Sequence, residues 1–375
     1  MKVLFYSDRL THYLVPTFRE LERRLEREGG KLILVSGNNR RTDAGRFGLS
    51  DIVVSHHIYV PYHEWKYKNY TLRWQPTLAN VFRKTNADLL IVAGHVGDLT
   101  YWRLGLSSER ANFKYLTWQC GYEYNPSPIK DILTKRFLQR YDYHLAYHNN
   151  AKKYLMSYGV MESRITVVHN TINEEAIDLI SPSQARQMVI NELKLPFDQP
   201  IVLYVGAILA EKRLDLLIDA VRRLRRPVSL IMVGDGQALA GLKAASADLD
   251  HVRYPGRVVA NVGRFFDAAD VFVLPGTGGL AINEAMAHRL PIIASYADGS
   301  TPDLVSDGVN GYILKDGTAE EIATYLNILL ACPEVRLRMG ETSRERITTK
   351  YSFTAFIDRI MLGLRAAMIS GPLRQ

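Results

Sequence analysis

The chain has 375 residues, 47% hydrophobic and 23% charged, a composition typical of a globular protein long enough for two domains. It holds no run near the roughly 18 apolar residues of a membrane span, and the charged start MKVLFYSDRL is unlike a secretory signal, so we expect cytoplasmic residence. Cys120 and Cys332 lie far apart without metal-ligand spacing, which argues against a disulfide framework and a structural zinc site.

The net charge of +8 is unevenly distributed along the chain. Residues 1–178 carry 25 Lys and Arg against 18 Asp and Glu, whereas residues 179–375 carry 22 against 21. A basic half suits nucleic acid, an anionic membrane surface or an acidic substrate, and it is equally compatible with an unspecialised surface. No recognised nucleic-acid motif accompanies the charge, so nucleic acid is not an expected partner.

Strand-like and helix-like segments alternate from the start, which predicts parallel α/β sheets. A strand at 2–7 and an amphipathic helix at 15–29 precede a strand at 31–37, and further strands are predicted at 86–95 and 113–121. Ligand sites of open α/β sheets lie past the carboxyl ends of the strands. The residues placed there by these strands are His95, Trp118 and Gln119.

Aromatic and basic side chains are interleaved between residues 58 and 85. Because rings stack and cations meet phosphates, this segment suits a sugar-stacking wall, a nucleic-acid surface or a membrane interface. A basic helical stretch follows at 129–141 and contains Lys130, Lys135, Arg136 and Arg140. Both segments lie in the basic half of the chain.

A polar, proline-interrupted segment at 178–199 marks the predicted boundary, and a second series of strands and helices begins at residue 200. Within it a buried strand at 270–275 leads into residues 276–279 (Gly-Thr-Gly-Gly), called here the glycine loop. Such a loop lets backbone N–H groups approach a ligand, and the helix after it favours an anion. Glu284, early in that helix, is placed to accept hydrogen bonds from a ribose.

The run LPGTGGLAINEAMAHRLPIIAS resembles the signature of family-four glycosyltransferases of the GT-B fold, in which two Glu eight residues apart flank a glycine-rich loop. Glu284 matches the second Glu, which implies a ribose ligand. Gly276 stands at the position of the first Glu, which meets the donor sugar in the family. The string YVGAILAEKRLDLLIDA is also similar to the family pattern, with Lys212 retained and Ala207 where an Arg is usual.

The resemblance implies roles for residues along the whole chain. In the family the Lys neutralises the nucleotide diphosphate, and a His near the position of His95 touches the donor sugar, so the expected catalytic residues are His95 and Lys212. Donor nucleotide and phosphate contacts are expected from Gly206, Lys212, Arg213, Arg257, Val258, Gly279, Leu280, Ala281 and Glu284. Donor-sugar contacts are expected from Gly276, Thr277 and Gly278. Acceptor contacts are expected from Trp118, Gln119 and Asn170.

The sequence therefore predicts an α/β protein of the GT-B fold, with two Rossmann-like domains whose parallel sheets face an interdomain cleft. The domains are residues 1–178 for the acceptor and 200–350 for the nucleotide-sugar, with a linker at 179–199 and a C-terminal helix at 351–375 that returns to the first domain. The resemblance implies transfer from a nucleotide-diphosphate sugar to a glycan, polysaccharide-precursor or lipid-linked acceptor, with retention of configuration and with no metal or cofactor.

Two other functions share the pattern. A sugar-nucleotide epimerase has the same fold but needs acid and base groups around the sugar, and Gly276 disfavours it. A non-catalytic nucleotide-sugar-binding relative is the second alternative, because the first Glu and the Arg at Ala207 are absent. Asp248-Leu249-Asp250, the single Asp-x-Asp of the chain, lies far from the glycine loop in the motif order and reads as a solvated turn.

The basic half is also expected to hold the protein peripherally on the inner face of a membrane. The segment Tyr62 to Trp74 and the basic helical stretch contain aromatic and cationic side chains of the kind found at lipid headgroups. An anionic membrane surface is thus the predicted partner of the first domain.

Overall fold

The computed structural model describes residues 1–8, 10–37, 54–67, 70–105, 113–121, 128–258, 260–296 and 298–370. The chain forms two compact units, one of Met1–Asn170 with Phe356–Gln375 and one of Thr171–Ala355. The described residues of each unit build a parallel sheet flanked by helices, with seven strands in the first and six in the second. The predicted α/β class with two parallel sheets is confirmed.

The main sheet of the first unit has the strand order β3-β2-β1-β6-β7-β8-β9, and β4 and β5 form a separate two-stranded sheet. Its strands are β1 (Lys2–Ser7), β2 (Lys31–Gly37), β3 (His57–Val60), β4 (His63–Tyr67), β5 (Tyr70–Trp74), β6 (Leu89–Ala93), β7 (Lys114–Gln119), β8 (Tyr143–Ala146) and β9 (Ile165–Val167). Its helices are α1 (Val15–Arg27), α2 (Leu78–Thr85), α3 (Leu99–Gly105), α4 (Pro128–Leu138) and α5 (Asn149–Ser157).

The core of this unit follows from continuous apolar strands buried on both faces, as parallel sheets require. Leu4 and Tyr6 of β1 are fully buried, and α1 turns Phe18 and Leu21 inward. Apolar residues at these helical spacings form one buried stripe, so α1 packs beside the sheet.

The final helix, α14 (Phe353–Ile369), belongs for most of its length to the first unit. Phe356 packs edge-on against Trp118 of β7, with ring centroids 6.0 Å apart. Asp358 forms an ion pair with Arg24 of α1, and Lys114 Nζ donates to Ser370 O at 2.7 Å just past the helix. The last helix thus packs against the first unit, as predicted.

The aromatic and basic segment forms a hairpin that sequence periodicity did not predict. Strands β4 and β5 pair antiparallel, with His63 opposite Trp74 and Tyr67 opposite Tyr70. Trp65 and Tyr67 expose 53% and 71% of their surface, so the hairpin presents large rings to solvent.

The second unit has the strand order β12-β11-β10-β13-β14-β15. Its strands are β10 (Ile201–Val205), β11 (Ser229–Val233), β12 (Val252–Gly256), β13 (Val271–Leu274), β14 (Ile292–Ala294) and β15 (Gly311–Ile313). Its helices are α6 (Pro182–Leu193), α7 (Leu214–Arg222), α8 (Leu239–Ala245), α9 (Gly263–Ala268), α10 (Ala281–Ala287), α11 (Thr301–Leu304), α12 (Ala319–Ala331) and α13 (Pro333–Thr348).

The segment 179–199, predicted as a linker, is part of the second unit and carries α6. Pro182 lies at the start of the helix, where its missing N–H is not needed. Ala185 and Val189, one turn apart, are fully buried in the core of the second unit. The polar composition of this segment reflects the exposed face of a packed helix, which explains why it resembled a linker.

None of the helices within the described ranges combines the length and the apolar composition that a membrane span requires.

Candidate active site

The second unit brings two segments together at one edge of its sheet, the segment with Lys212 that follows β10 and the glycine loop that follows β13. The strands β11 and β12 lie on one side of β10, whereas β13, β14 and β15 lie on the other. The strand order therefore reverses between β10 and β13, and ligands of open α/β sheets bind outside the carboxyl ends of the strands at such a point. The segment 206–212 leaves β10 at this edge, and the glycine loop leaves β13 beside it.

The two segments are in direct backbone contact at Gly276. A Cβ atom placed on Gly276 would lie 2.2 Å from Glu211 O and 2.4 Å from the carbonyl carbon of Lys212. Thr277 N donates to Glu211 O at 2.9 Å, which continues the contact by one residue. Only glycine fits this approach, so the absence of a Glu side chain at position 276 has a steric reason.

Lys212 ends a short 3-10 turn, Ala210–Lys212, and reaches the glycine loop with its side chain. Its Nζ donates to Thr277 O at 2.7 Å and to Gly278 O at 3.3 Å. Half-buried Lys212 thus brings a positive charge to the loop at which the diphosphate is expected to bind. The same two hydrogen bonds hold the loop in shape.

Glu284 lies in the first turn of α10, directly after the glycine loop. Ile282, Ala285 and Met286 are fully buried behind it, which turns the half-buried Glu284 away from the core. Burial raises the pKa of the Glu284 carboxyl, and the neighbouring His288 partly opposes this rise. A carboxylate in this environment is a strong acceptor for hydroxyl donors.

A buried pair supports the far end of α10. His288 Nδ1 lies 2.6 Å from Asp267 Oδ1, and the His288 ring stacks on Phe266 with centroids 5.2 Å apart. Asp267 Oδ2 also accepts from Ile180 N at 2.8 Å. On its other face the helix is tied by Asn283 Nδ2, which donates to Thr171 Oγ1 at 3.1 Å. These contacts hold Glu284 on a fixed helix.

The other residues predicted to bind the nucleotide-sugar follow β10, β12 and β13 of the same sheet. Gly206 N donates to Val233 O at 3.0 Å at the end of β10, and Arg213 caps α7 with a left-handed φ of 49°. A Cβ atom placed on Gly279 would meet no other atom within 4 Å, so the loop is open there. Arg257 and Val258 follow β12, two strands away from β10. Leu280 and Ala281 begin α10.

The predicted residues of the first unit have different surroundings. His95 is exposed in the turn after β6, where Asp98 N donates to its carbonyl group at 3.1 Å. Trp118 is buried, and Gln119 Nε2 donates to Gly94 O at 3.1 Å, so both support the sheet edge. Asn170 N donates to Tyr147 O at 3.0 Å. Roles for these four residues toward a sugar or an acceptor stay predictions.

A polar cluster at the carboxyl edge of the first sheet was not found from the sequence. Arg73 of the hairpin lies 3.5 Å from Asp8 Oδ2 and 3.1 Å from Glu64 Oε2. Nearby, Gln75 Nε2 donates to Asp98 Oδ2 at 2.8 Å, and burial raises the pKa of Asp98 to about 7. No motif marks these residues, because only the folded hairpin brings them to the sheet.

The Asp-x-Asp string lies away from the glycine loop. Asp248 is exposed and forms an ion pair with Arg222 of α7, whose hydrogen bonds lower the pKa of Asp248 to about 2. Asp250 is exposed before β12. Across the described ranges, no group of three His, Cys, Asp or Glu side chains is arranged to hold a metal ion.

Comparison with known proteins agrees with this architecture. The family model for glycosyl transferases group 1 matches residues 186–346, and the model for Glycosyltransferase Family 4 matches residues 16–176. Together the two matches span most of both units. The chain belongs to the family-four glycosyltransferases of the GT-B fold.

The curated relatives are similar over part of their length. The chain is 31% identical over 170 residues to sulfoquinovosyl transferase SQD2 of Arabidopsis thaliana, covering 44% of this chain and 32% of that protein. It is 31% identical over 188 residues to alpha-D-kanosaminyltransferase of Streptomyces kanamyceticus, covering 48% of each. The matched region thus spans half or less of these relatives.

The solved structure of HepE from Anabaena in complex with UDP has the same fold along nearly the whole chain. It is superposed with a TM-score of 0.77 and covers 98% of this chain and 100% of its own, at 17% sequence identity. At this identity the likeness concerns the fold.

Proposed function

We propose that this protein transfers a sugar from a nucleotide-diphosphate sugar to a hydroxyl group of a glycan, polysaccharide-precursor or lipid-linked acceptor. The observation that carries the proposal is the junction of the glycine loop with Lys212 beside Glu284, at the point where the strand order reverses. These groups match two parts of the donor: N–H groups and an ammonium suit the diphosphate, and a carboxylate suits the ribose.

The reaction breaks the bond between the anomeric carbon and the diphosphate oxygen and forms a bond to the acceptor oxygen, whose proton is released. Negative charge develops on the leaving diphosphate, so a site that stabilises this charge accelerates the reaction. Lys212 and the N–H groups of the loop would supply that stabilisation, with Arg213, the next residue in the chain, as a second cation. We propose that no divalent ion is needed and that the configuration of the sugar is retained.

The acceptor is proposed to bind the first unit. Asp8 follows β1, and His95 and Asp98 follow β6, at the carboxyl edge of the first sheet. Arg73 of the hairpin reaches the same edge through its ion pair with Asp8. These polar groups suit recognition of a polar molecule. Two relatives, a sulfoquinovosyl transferase and a kanosaminyltransferase, are named for the transfer of a sugar group, which supports sugar transfer as the reaction. HepE is described with UDP, which supports a nucleotide donor.

The first unit is also proposed to lie on an anionic membrane surface. Helix α4 exposes apolar and basic side chains side by side, Ile132 and Leu133 with Lys135 and Arg136. Lys130 is half-buried, and the Arg140 guanidinium lies 5.9 Å from the ring centre of Trp102, so these two contribute less. The exposed rings of the hairpin are of the type that sits at headgroups.

A thermal-shift screen of UDP, GDP and their sugar conjugates tests the proposed donor site. A ligand that binds only the folded state raises the melting temperature, so at least one conjugate should stabilise the protein, with and without excess EDTA. If no nucleotide-sugar shifts the melting temperature, the donor site is wrong. If stabilisation needs Mg²⁺ or Mn²⁺, metal independence is wrong. An epimerised nucleotide-sugar that forms in the absence of an acceptor would favour the epimerase.

A further inference from the structure

At the proposed nucleotide-sugar site, the glycine loop offers N–H groups that donate hydrogen bonds, but the loop itself contains no carboxylate. Thr277 carries the only polar side chain of residues 276–279. Lys212 and the backbone N–H groups donate, whereas the hydroxyl groups of a sugar need acceptors as well. Glu284 lies on α10 after the loop, where the ribose is expected. A second carboxylate beside the loop would supply a strong acceptor for the sugar.

Asp298 places a carboxylate against the loop. A Cβ atom built on Gly278 would lie 2.8 Å from Asp298 Oδ2 and 3.0 Å from Asp298 Oδ1. The half-buried side chain thus occupies the space beside Gly278 that any other residue there would fill. Asp298 follows β14, the strand next to β13, so it reaches the same sheet edge as the loop.

The orientation of this carboxylate is fixed from one side. Ser300 donates to Asp298 Oδ1 twice, from its N at 3.0 Å and from its Oγ at 2.6 Å. The loop itself is held by Ser295 Oγ, which donates to Gly276 O at 2.8 Å. Lys212 Nζ donates to Gly278 O at 3.3 Å, so a cation and a carboxylate both lie against Gly278. A carboxylate held by two donors is ordered before a ligand arrives.

We propose that Asp298 accepts hydrogen bonds from the hydroxyl groups of the donor sugar and selects a neutral sugar over an anionic one. The proposal rests on the proposed donor site and assigns to Asp298 a specificity role that position 276 cannot fill for steric reasons. A sugar with a carboxylate or sulfonate directed at Asp298 would be repelled, because like charges in a partly buried site cost binding free energy. A neutral hexose presents hydroxyl donors and no such charge.

The test compares Asp298→Asn with the wild type by calorimetric titration of UDP, UDP-glucose, UDP-galactose and UDP-glucuronic acid, and of GDP and GDP-mannose. Asn keeps the shape but removes the charge and one acceptor. We expect the affinity for the nucleoside diphosphate alone to change by less than about twofold. The affinity for its neutral-sugar conjugate should fall about tenfold to a hundredfold, as for hydrogen bonds to a charged group. Discrimination against UDP-glucuronic acid should decrease.

Two further variants control the experiment. Asp219→Asn changes an exposed carboxylate on α7 and should leave all affinities unchanged. Gly278→Ala should push the Asp298 carboxylate aside and so weaken sugar-conjugate binding. The double variant Gly278→Ala with Asp298→Asn should show no further loss, because both changes remove the same contact.

The outcomes separate the two proposals. If the wild type binds no nucleotide, the donor site and with it the role of Asp298 are wrong. If the wild type binds a nucleotide-sugar and Asp298→Asn binds it equally well, the donor site stands and the role of Asp298 is overturned. Equal weakening for the nucleoside diphosphate and its conjugate would also overturn it, since that result indicates a structural effect on the loop.

Discussion

At the scale of single residues, Gly276 is held in contact with the backbone of the preceding turn. In Gly276→Ala the new Cβ would meet Glu211 O at 2.2 Å, and backbone atoms cannot turn away as a flexible side chain can. We expect a loss of about 1–3 kcal/mol in the free energy of unfolding, the usual cost of overpacking. Urea denaturation measures it. Gly279→Ala is the matched control, since nothing lies within 4 Å of its Cβ position, and equal stability of the two variants would contradict the steric argument.

Glu284 gives the second prediction at this scale. Glu284→Ala should remove the proposed charge-assisted hydrogen bonding to the ribose, worth about 1.5–3 kcal/mol in total, so donor affinity should fall about tenfold to a hundredfold while the fold survives. Titration of the best donor from the thermal-shift screen measures this loss. An unchanged dissociation constant in a folded variant would refute the ribose role.

The pH dependence of donor binding follows from the same side chain. Burial raises the pKa of Glu284, so its ionised form decreases at a higher pH than for an exposed Glu as the pH falls. Donor affinity should therefore be full above the raised pKa and decline as the pH falls through it. In Glu284→Gln this decline should disappear. A decline of the same size in Glu284→Gln would assign the titration to another group.

Motifs in the sequence predict Lys212 and Glu284 as site residues, and the structure brings both to the edge of the glycine loop, while their ligand roles stay predictions. Asp298 could not be predicted in this way, because its position depends on β14 lying next to β13 and on the space left by Gly278. The sequence offers one signal for Asp298, which is that a carboxylate follows shortly after the predicted strand β14. The Asp8 and Arg73 pair gave none, because it forms only when the hairpin folds onto the first sheet.

At the scale of elements, the 3-10 turn of Lys212 and the glycine loop are joined by the hydrogen bonds of Lys212 Nζ, and we expect them to bind the diphosphate together. Lys212→Met keeps most of the stem but removes the charge and the hydrogen bonds to Thr277 and Gly278. Affinity for the nucleoside diphosphate alone should fall about tenfold or more, in contrast to the sugar-specific loss expected for Asp298→Asn. Lys243→Met on the exposed face of α8 is the control. Diphosphate affinity equal to that of the control would exclude a phosphate role.

The elements themselves followed from apolar periodicity for β1, α1, β2, β6, β7 and β13, whose buried runs are continuous or clearly amphipathic. The hairpin of β4 and β5 did not, since its alternating rings and cations fit several surfaces equally well. The composition of α6 predicts a linker because only a narrow apolar stripe of this helix, including Ala185 and Val189, is buried. Tertiary packing decides such weakly patterned segments.

At the scale of the whole molecule, binding to an anionic surface should depend on α4. Each basic residue near such a surface contributes on the order of 1 kcal/mol, so Lys135→Ala with Arg136→Ala should weaken binding to anionic vesicles about thirtyfold. Exposed Arg223→Ala with Arg225→Ala in the second unit is the matched control. Salt should release the wild type. Equal sedimentation with neutral and anionic vesicles would leave the first unit with an ordinary surface.

We propose that the chain catalyses sugar transfer and that Glu284 and Lys212 are both needed for it. The most direct measurement is the release of nucleoside diphosphate from a panel of nucleotide-sugars by the wild type, Glu284→Ala and Lys212→Met. We predict turnover of at least one donor by the wild type, in the presence of EDTA, and at least about tenfold slower release by each variant at limiting donor, as expected for the loss of a charge-assisted hydrogen bond. Binding of a donor without any turnover, or turnover unchanged in both variants, would contradict the claim.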